Sequence, residues 1–104
     1  MAQVDFFPVG SDLTVTLQGV RDPDDNLVDG TATVTGDLIS LRGRVLKRGI
    51  VFTYQGSGGI FIGTVPSSVE YVSGDNYKLL ITVTLSGGSK FVQSITRKAK
   101  SVEI

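Results

Sequence analysis

The residues best suited to chemistry lie in one acidic loop, Asp22-Pro-Asp-Asp-Asn-Leu-Val-Asp29. The first, third and fifth positions of this loop carry the oxygen-bearing side chains that a calcium-binding loop uses there. Such a loop also needs Gly at its sixth position and Glu at its twelfth, whereas this chain has Leu27 and Thr33. Two interpretations remain open: an acidic turn whose side chains bond to their own backbone, or a looser calcium site. The candidate metal ligands are Asp22, Asp24, Asn26 and Asp29.

Two absences limit the chemistry further, because the 104 residues include no His and no Cys. Zinc, copper, haem and iron–sulfur sites built from those side chains are excluded. Cys nucleophiles and the His base of a catalytic triad are excluded as well. Paired carboxylates for glycoside hydrolysis remain as an enzymatic alternative. Because the acids lie mostly in turns of the first third of the chain, we expect a protein that is not an enzyme and has no cofactor.

Two glycine-rich segments, Gly56-Ser-Gly-Gly59 and Ser86-Gly-Gly-Ser89, are candidates for phosphate-binding loops. A phosphate-binding loop leads into the N-terminus of a helix, often with a Lys. The residues after both segments alternate between apolar and polar, which is typical of a strand. We therefore interpret both segments as hairpin turns.

Charge is unevenly distributed along the chain, although the formal net charge is +0. Residues 1–37 hold seven acids and one base, and residues 38–104 hold nine bases and three acids. The basic residues either face solvent in loops or contact an acidic partner surface. Zero net charge, and the lack of aromatic residues among the bases at 42–48, argue against nucleic acid as a partner. The basic interface candidates are Arg42, Arg44, Lys47, Arg48, Arg97 and Lys98.

We divide the chain into an N-terminal arm, residues 1–10, and one domain, residues 11–104. Phe6 and Phe7 precede Pro8, and two adjacent aromatic residues make a poor solvent-exposed tail. We expect them to dock on the core of the domain or on another subunit, so they join the interface candidates. The chain lacks the roughly 20-residue apolar stretch of a membrane helix, and Met1–Asp5 lacks the features of a secretory signal. We therefore expect a protein made in the cytoplasm, with neither a membrane partner nor a small-molecule substrate.

Alternation typical of β-strands runs through most of the chain, and helical periodicity is almost absent. Six to seven short strands with turn signals between them predict an all-β fold, an antiparallel Ig-like β-sandwich. Gly36 would suit a bulge, because the apolar alternation slips there. The predicted strands cover residues 13–17, 31–41, 50–54, 60–65, 77–85 and 90–96, with a short final strand at Val102 and Ile104. The predicted core comprises Leu13, Val15, Leu17, Val34, Leu38, Phe52, Ile62, Tyr77, Leu79, Ile81, Val83 and Ile95.

Tyr77 opens the strand at 77–85 and is the predicted marker of the fold. In Ig-like sandwiches a Tyr at the start of such a strand bonds back to the connecting loop, the tyrosine corner. We expect a buried ring whose hydroxyl reaches a backbone group between Val69 and Gly74.

Several of these segments together resemble a known family. Gly59-Ile-Phe-Ile-Gly-Thr-Val-Pro66 is followed by Gly74-Asp-Asn-Tyr-Lys-Leu-Leu-Ile-Thr-Val-Thr84, and Asp12-Leu-Thr-Val-Thr-Leu17 precedes the acidic loop. This order resembles the Ig-like modules of tailed-bacteriophage virion proteins, although Asp25 stands where the turn of those modules has Gly. The resemblance implies a small component of the phage neck, tail or capsid surface, which is made in the host cytoplasm and located in the virion.

Two functions from different classes follow. The first is a non-enzymatic virion structural or assembly protein that contacts itself or other virion proteins, as a homo-oligomer, through edge strands and segregated charge. The alternative is a ligand-binding or adhesion module that recognises a host-surface glycan or protein. Carbohydrate sites usually carry aromatic platforms on loops, and with no Trp in the chain Tyr54 and Tyr71 are the candidates. The shortage of such residues favours the structural function.

Overall fold

The computed structural model describes residues 4–101, which form seven strands in one sheet. The strands are β1 (Phe7–Val9), β2 (Leu13–Leu17), β3 (Thr33–Ser40), β4 (Val45–Tyr54), β5 (Phe61–Val65), β6 (Asn76–Thr84) and β7 (Lys90–Ser101). Their order in the sheet is β1-β7-β6-β3-β4-β5-β2. The all-β prediction is confirmed. The sheet is mixed rather than purely antiparallel, because β1 runs parallel to β7.

Strand β6 organises the core of the molecule. It pairs antiparallel with β3 on one side and with β7 on the other, along almost its whole length. Its alternate residues Tyr77, Leu79, Ile81 and Val83 are each at most 4% exposed. The sheet curls until it nearly closes a barrel, so that these side chains meet buried residues of β2, β4 and β5. Burying each large apolar side chain contributes roughly 1.5–3 kcal/mol, which makes this shared core the main stabilising feature.

Most of the predicted core is confirmed, and one strand was predicted on the wrong face. Ile62 is only half-buried, whereas Phe61, Gly63 and Val65 of the same strand face the core. Apolar residues occupy both alternate sets of β5, so the pattern alone did not fix its register. Leu13 and Ile95 are partly buried at the margin of the core. The remaining predicted core residues are buried: Val15, Leu17, Val34, Leu38, Phe52, Tyr77, Leu79, Ile81 and Val83.

Strand β4 begins earlier than predicted, at Val45 rather than at residue 50. Lys47 and Arg48 therefore lie in a strand and not in a basic loop. The β3–β4 pairing shifts register between Gly36 and Leu38, with the extra residue on β4 near Gly49. Such a bulge breaks the apolar alternation and hides a strand from pattern analysis. The bulge predicted near Gly36 is thus present, but its extra residue belongs to the partner strand.

The tyrosine corner is confirmed. Tyr77 is 4% exposed, and its hydroxyl oxygen accepts a hydrogen bond of 2.7 Å from the backbone amide of Val72. The contact ties the loop before β6 to the start of that strand. Strand β7 also runs further than predicted, to Ser101, and the predicted strand at Val102 and Ile104 lies outside the described residues. Residues 4–101 contain no helix that is long and apolar enough to span a membrane.

Gly63 should be intolerant of a side chain. A Cβ at this position would lie 2.9 Å from the Phe52 ring and 3.0 Å from the Val51 carbonyl oxygen. We expect Gly63→Ala to lower the free energy of unfolding by about 1–3 kcal/mol, as overpacked cores do, in urea denaturation. Gly87→Ala is the matched control, because a Cβ there has no neighbour within 4 Å. Equal losses at the two positions would contradict the observed register of β5.

Candidate interaction surface

Strand β7 is 12 residues long, and most of it is paired on one side only. Residues 90–98 pair with β6 in antiparallel register. On the other side, β1 reaches only Ala99–Ser101. Within residues 4–101, no strand covers the side of residues 90–98 that faces away from β6, which we call the open edge. An unpaired edge presents backbone donors and acceptors that can bind another strand.

Hydrogen bonds at the two ends of β7 show which backbone groups point toward β6. Ala99 donates its amide to the Asp75 carbonyl and accepts a hydrogen bond from the Gly74 amide, each at 2.8 Å. At the other end, the Leu85 amide donates to the Ser89 carbonyl at 2.8 Å. Residues two apart along a strand direct their backbone groups to the same side. Both ends therefore agree that odd-numbered residues of β7 bond to β6 and that even-numbered ones point away.

Between Lys90 and Lys98, at the ends of the open edge, three residues direct their backbone N–H and C=O groups to it: Val92, Ser94 and Thr96. The Thr96 carbonyl accepts a 2.7 Å hydrogen bond from the Arg97 guanidinium rather than from a strand. The side chain of Val92 is 59% exposed on the outer face of the sheet. This part of β7 thus combines unpaired backbone groups with exposed apolar surface.

A groove of about 420 Å³ runs beside the open edge. Residues 93–97 of β7, five in succession, form one of its walls. Because consecutive side chains of a strand point to opposite faces, a groove that touches all five reaches the edge of the strand itself. Ile81 and Ile95 contribute apolar surface to the groove. The groove therefore offers both backbone groups and apolar contacts to an occupant.

The opposite wall is residues 17–21, where β2 ends. β2 pairs with β5 and with no other strand of the described part, so its second edge is also unpaired. The amides of Gly19 and Val20 donate to the carbonyls of Gly58 and Gly59 at 3.2 and 3.1 Å, which fixes this wall. Gly59 permits the close approach: its φ is +62°, and a Cβ would lie 2.9 Å from backbone atoms of Val20. We call the gap between β7 and β2 the seam.

The N-terminal arm fills one end of the seam. Phe7 pairs with Ala99 and is fully buried, with its ring stacked 5.7 Å from that of Tyr71. The Arg97 Nε donates to the Val4 carbonyl at 2.7 Å, so the same guanidinium holds both the arm and the Thr96 carbonyl. Strand β1 is only three residues long and leaves the rest of the seam uncovered.

The interface residues predicted from the arm are used inside the molecule. Phe7 lies in the core of the domain, and Phe6 lies beneath the Lys100 ammonium, which is 5.7 Å from its ring centroid. Of the two expected docking places, Phe7 takes the domain's own core, whereas Phe6 is half-buried outside it. Arg97 clamps the arm, as described above, whereas Lys98 is exposed on the outer face of β7.

An aromatic cluster anchors the filled end of the seam. The Tyr71 ring stacks on Phe7 and meets the Tyr77 ring edge-on at a centroid distance of 5.0 Å. The Tyr71 hydroxyl is buried and has no hydrogen-bond partner within residues 4–101. Burial, with a smaller contribution from Tyr77, raises the pKa of Tyr71 to about 12. Tyr71 is therefore a packing residue and not an exposed platform for a sugar.

A second concavity of about 500 Å³ lies at the β3–β4 turn. It brings Arg42 and Arg44 together with Glu70 and Asp75, and neither Arg forms an ion pair within the described residues. Leu41 and Val72, which also line it, are 58% and 60% exposed. The mixed charge gives this surface no net preference for an anion, and turns rather than an open strand edge border it. Lys47 and Arg48 are exposed on β4.

The acidic loop uses its carboxylates to hold its own backbone. Asp22 accepts hydrogen bonds from the amides of Asp24 and Asn26, each at 2.9 Å. Asp29 accepts from the amide and hydroxyl of Thr31, and these bonds lower the pKa of the Asp29 carboxyl. Among residues 4–101, no group of three or more His, Cys, Asp or Glu is placed to hold a metal ion. The geometry corresponds to the acidic-turn interpretation.

The seam was not predicted from the sequence, although β7 carries one signal for it. From Lys90 to Ser101 polar residues occupy both alternate sets, so neither face of β7 carries a continuous apolar stripe. In this fold the pattern belongs to a strand that has one unpaired edge and few buried side chains on either face. The groove-facing part of β2 gave no signal, because Leu13–Leu17 alternates like any half-buried strand.

Comparison with known proteins adds one structural likeness. No family model matches the chain, and no curated protein matches it. The crystal structure of CopC from Methylosinus trichosporium OB3b matches with a TM-score of 0.51 and 15% identity, over 97% of this chain and 89% of that one. At that identity the likeness concerns the fold alone.

The likeness corrects the function expected from the sequence. The expectation of a phage virion structural protein, or of a host-surface adhesion module, is wrong, because the solved fold that this chain resembles over nearly its whole length is that of CopC. The segments that suggested a phage module, around Gly59–Pro66 and Tyr77, form a strand and a corner of the core. They specify packing, which unrelated proteins share.

The two buried Tyr hydroxyls should respond in opposite ways to removal. Tyr77→Phe deprives the Val72 amide of its acceptor, and we expect a loss of about 1 kcal/mol in the free energy of unfolding. Tyr71→Phe removes a hydroxyl without a partner and should be neutral or stabilising. Urea denaturation of both variants at neutral pH compares them directly. A larger loss for Tyr71→Phe would contradict the hydrogen-bond assignment.

Tyr71 should also make stability depend on alkaline pH. Its folded-state pKa of about 12 exceeds the unfolded value of 10.0. Below pH 10 both states hold the proton and this group adds no pH dependence; between pH 10 and 12 the unfolded state loses it first, so stability falls. The free energy of unfolding of the wild-type protein minus that of Tyr71→Phe should be constant below pH 10 and should decline above it. A flat difference up to pH 12 would show that the hydroxyl reaches solvent.

Proposed function

We propose that this protein is a non-enzymatic interaction domain that binds an extended polypeptide segment in the seam, by adding a strand to the open edge of β7. The observation that carries the proposal is that residues 90–98 are hydrogen-bonded to β6 alone while a groove lies beside their free side. Strand addition of this kind takes affinity from backbone hydrogen bonds and specificity from alternate side chains.

The finer fold assignment belongs to the same proposal. We describe the curled sheet as an Ig-like sandwich whose seam is closed at one end by β1 and open along the rest. The tyrosine corner and the antiparallel pairing of every pair of neighbouring strands except β1 with β7 support this description. In such a sandwich, an added segment would continue the line that β1 begins.

The charges and titratable groups support binding rather than catalysis. Within residues 4–101, shifted pKa values are found for Asp29, in its own turn, and for Tyr71, in the aromatic cluster. Neither lines the seam groove or the concavity at the β3–β4 turn. Catalytic sites generally place perturbed groups in a cleft. The chain also has no His and no Cys to act there.

A proline at Ser94 tests strand addition without disturbing the core. Its amide points to the open edge, and Pro is tolerated where a strand's N–H faces outward. We would select yeast-displayed random nine-residue peptides on the wild-type protein and measure their affinities by fluorescence anisotropy. Selected peptides should bind wild type and Ser94→Ala equally and lose at least about tenfold on Ser94→Pro, the effect of one or more lost hydrogen bonds.

Circular dichroism and thermal melting would establish that Ser94→Pro is folded. If it is not, Gln93→Trp provides a second block, because Gln93 lines the groove and is exposed. Peptides that bind both blocked variants as well as wild type would contradict the proposal. So would a selection that enriches no peptide.

A further inference from the structure

We propose that the segment bound in the seam is an acidic strand, with apolar side chains at its inward positions and carboxylates at its outward positions. This inference rests on the proposed function and adds the chemistry of the partner. It follows from three features of β7: its charge, the faces on which its side chains lie, and the consequences of pairing it with itself.

The charge of β7 is of one sign. Residues 90–101 contain four bases, Lys90, Arg97, Lys98 and Lys100, and no acid. Arg97 and Lys100 are engaged with the arm through the Val4 carbonyl and the Phe6 ring. Lys90 and Lys98 are exposed, and neither forms an ion pair within the described residues. The two uncommitted cations therefore stand at the two ends of the open edge.

Register with β6 places these two cations on one face. Lys90 pairs with Thr84 and Lys98 with Asn76, whereas the core-facing residues of β6 pair with odd-numbered residues of β7. Lys90 and Lys98 thus lie on the outer face. On the inner face, Ile95 is only partly buried and lines the groove together with Ile81, Gln93 and Arg97. An added strand would meet the two apolar side chains of Ile81 and Ile95 inward and the two ammonium groups outward, eight residues apart.

A second copy of the same chain fits this edge poorly. Antiparallel pairing of two β7 edges centred on Ser94 would set Lys90 of one copy opposite Lys98 of the other. Like charges directly opposite in a sheet are destabilising, whereas opposite charges stabilise the pair. The open edge of β2 carries no charged residue that could relieve this, since Leu13–Leu17 is uncharged. Charge complementarity therefore selects a partner strand that carries carboxylates.

Four labelled nine-residue peptides test the inference by fluorescence anisotropy. The acidic probe is Glu-Val-Thr-Val-Thr-Val-Thr-Val-Glu, whose carboxylates are spaced like Lys90 and Lys98. The neutral probe has Gln in place of both Glu, the basic probe has Lys, and a scrambled acidic probe breaks the alternation. We expect the acidic probe to bind about two- to thirtyfold tighter than the neutral probe, the range that two cross-strand charge pairs give. The basic and scrambled probes should bind more weakly than the neutral one.

Variants assign the preference to the two lysines. Lys90→Gln combined with Lys98→Gln should make the acidic and neutral probes bind with equal affinity. Lys47→Gln, on β4, should leave the difference in affinity between the two probes unchanged. About 1 M salt should reduce the difference in affinity between the acidic and neutral probes for the wild-type protein, because screening acts on exposed charges. Ser94→Pro should weaken every probe that binds through the edge, and Ser94→Ala should not.

The outcomes separate the two proposals. Acidic and neutral probes that bind equally well, both lost on Ser94→Pro, would overturn the acidic partner and leave strand addition standing. No binding by any probe, or binding indifferent to Ser94→Pro, would overturn both. A wild-type dimer in sedimentation that Ser94→Pro dissociates would show that a second copy occupies the seam. Probe binding that requires deletion of residues 1–3 would show that the chain's own terminus occupies it. Either of the last two results also overturns the acidic partner.

Discussion

Backbone hydrogen bonding across the seam is the constraint on which the rest of this structure depends. A sheet that curls without closing has two edge strands, here β1 at one end of the strand order and β2 at the other. β1 is too short to cover its neighbour, so β7 contributes a second stretch of unpaired backbone. Because every buried backbone N–H and C=O group needs a hydrogen-bond partner, a strand with an unpaired edge must lie at the surface. Residues 90–98 do so, and most side chains on both faces of β7 are exposed.

The filled and open ends of the seam differ in how they are held. At the filled end, Phe7 is buried against Tyr71, and one guanidinium joins the arm to β7. Tyr77 fixes the loop that carries Tyr71 through the Val72 amide. The aromatic cluster, the arm and the corner are therefore joined by direct contacts. From Arg97 toward Lys90 no comparable cluster is seen between β7 and β2 in the described part of the chain, and the groove lies along residues 93–97 of this stretch.

Much of the fold could be predicted from local pattern, and the seam could not. The Tyr77 corner and the β6 core follow from alternation that is consistent over nine residues. The start of β4 was not predicted, because a bulge with Gly49 interrupts the apolar alternation. The core-facing side of β5 was predicted wrongly, because Phe61 and Ile62 are both apolar. Which edges remain unpaired is a property of strand order, set by contacts distant in sequence. Arg97 and Lys98 were among the predicted interface residues, but that they share one strand with an open edge, together with Lys90, required the topology. The resemblance to phage modules stays a prediction, while the function drawn from it was wrong, since the shared segments specify packing.

Amide hydrogen exchange of the free protein, followed residue by residue by NMR, tests the open edge most directly. Amides bonded within a stable sheet exchange only through opening, whereas amides of an unpaired edge exchange freely. We expect an alternation along β7: the amides of Val92 and Ser94 should exchange orders of magnitude faster than those of Gln93 and Ile95, which bond to β6. Uniform protection of residues 92–95 would show that another segment already covers this edge, and it would contradict the central claim.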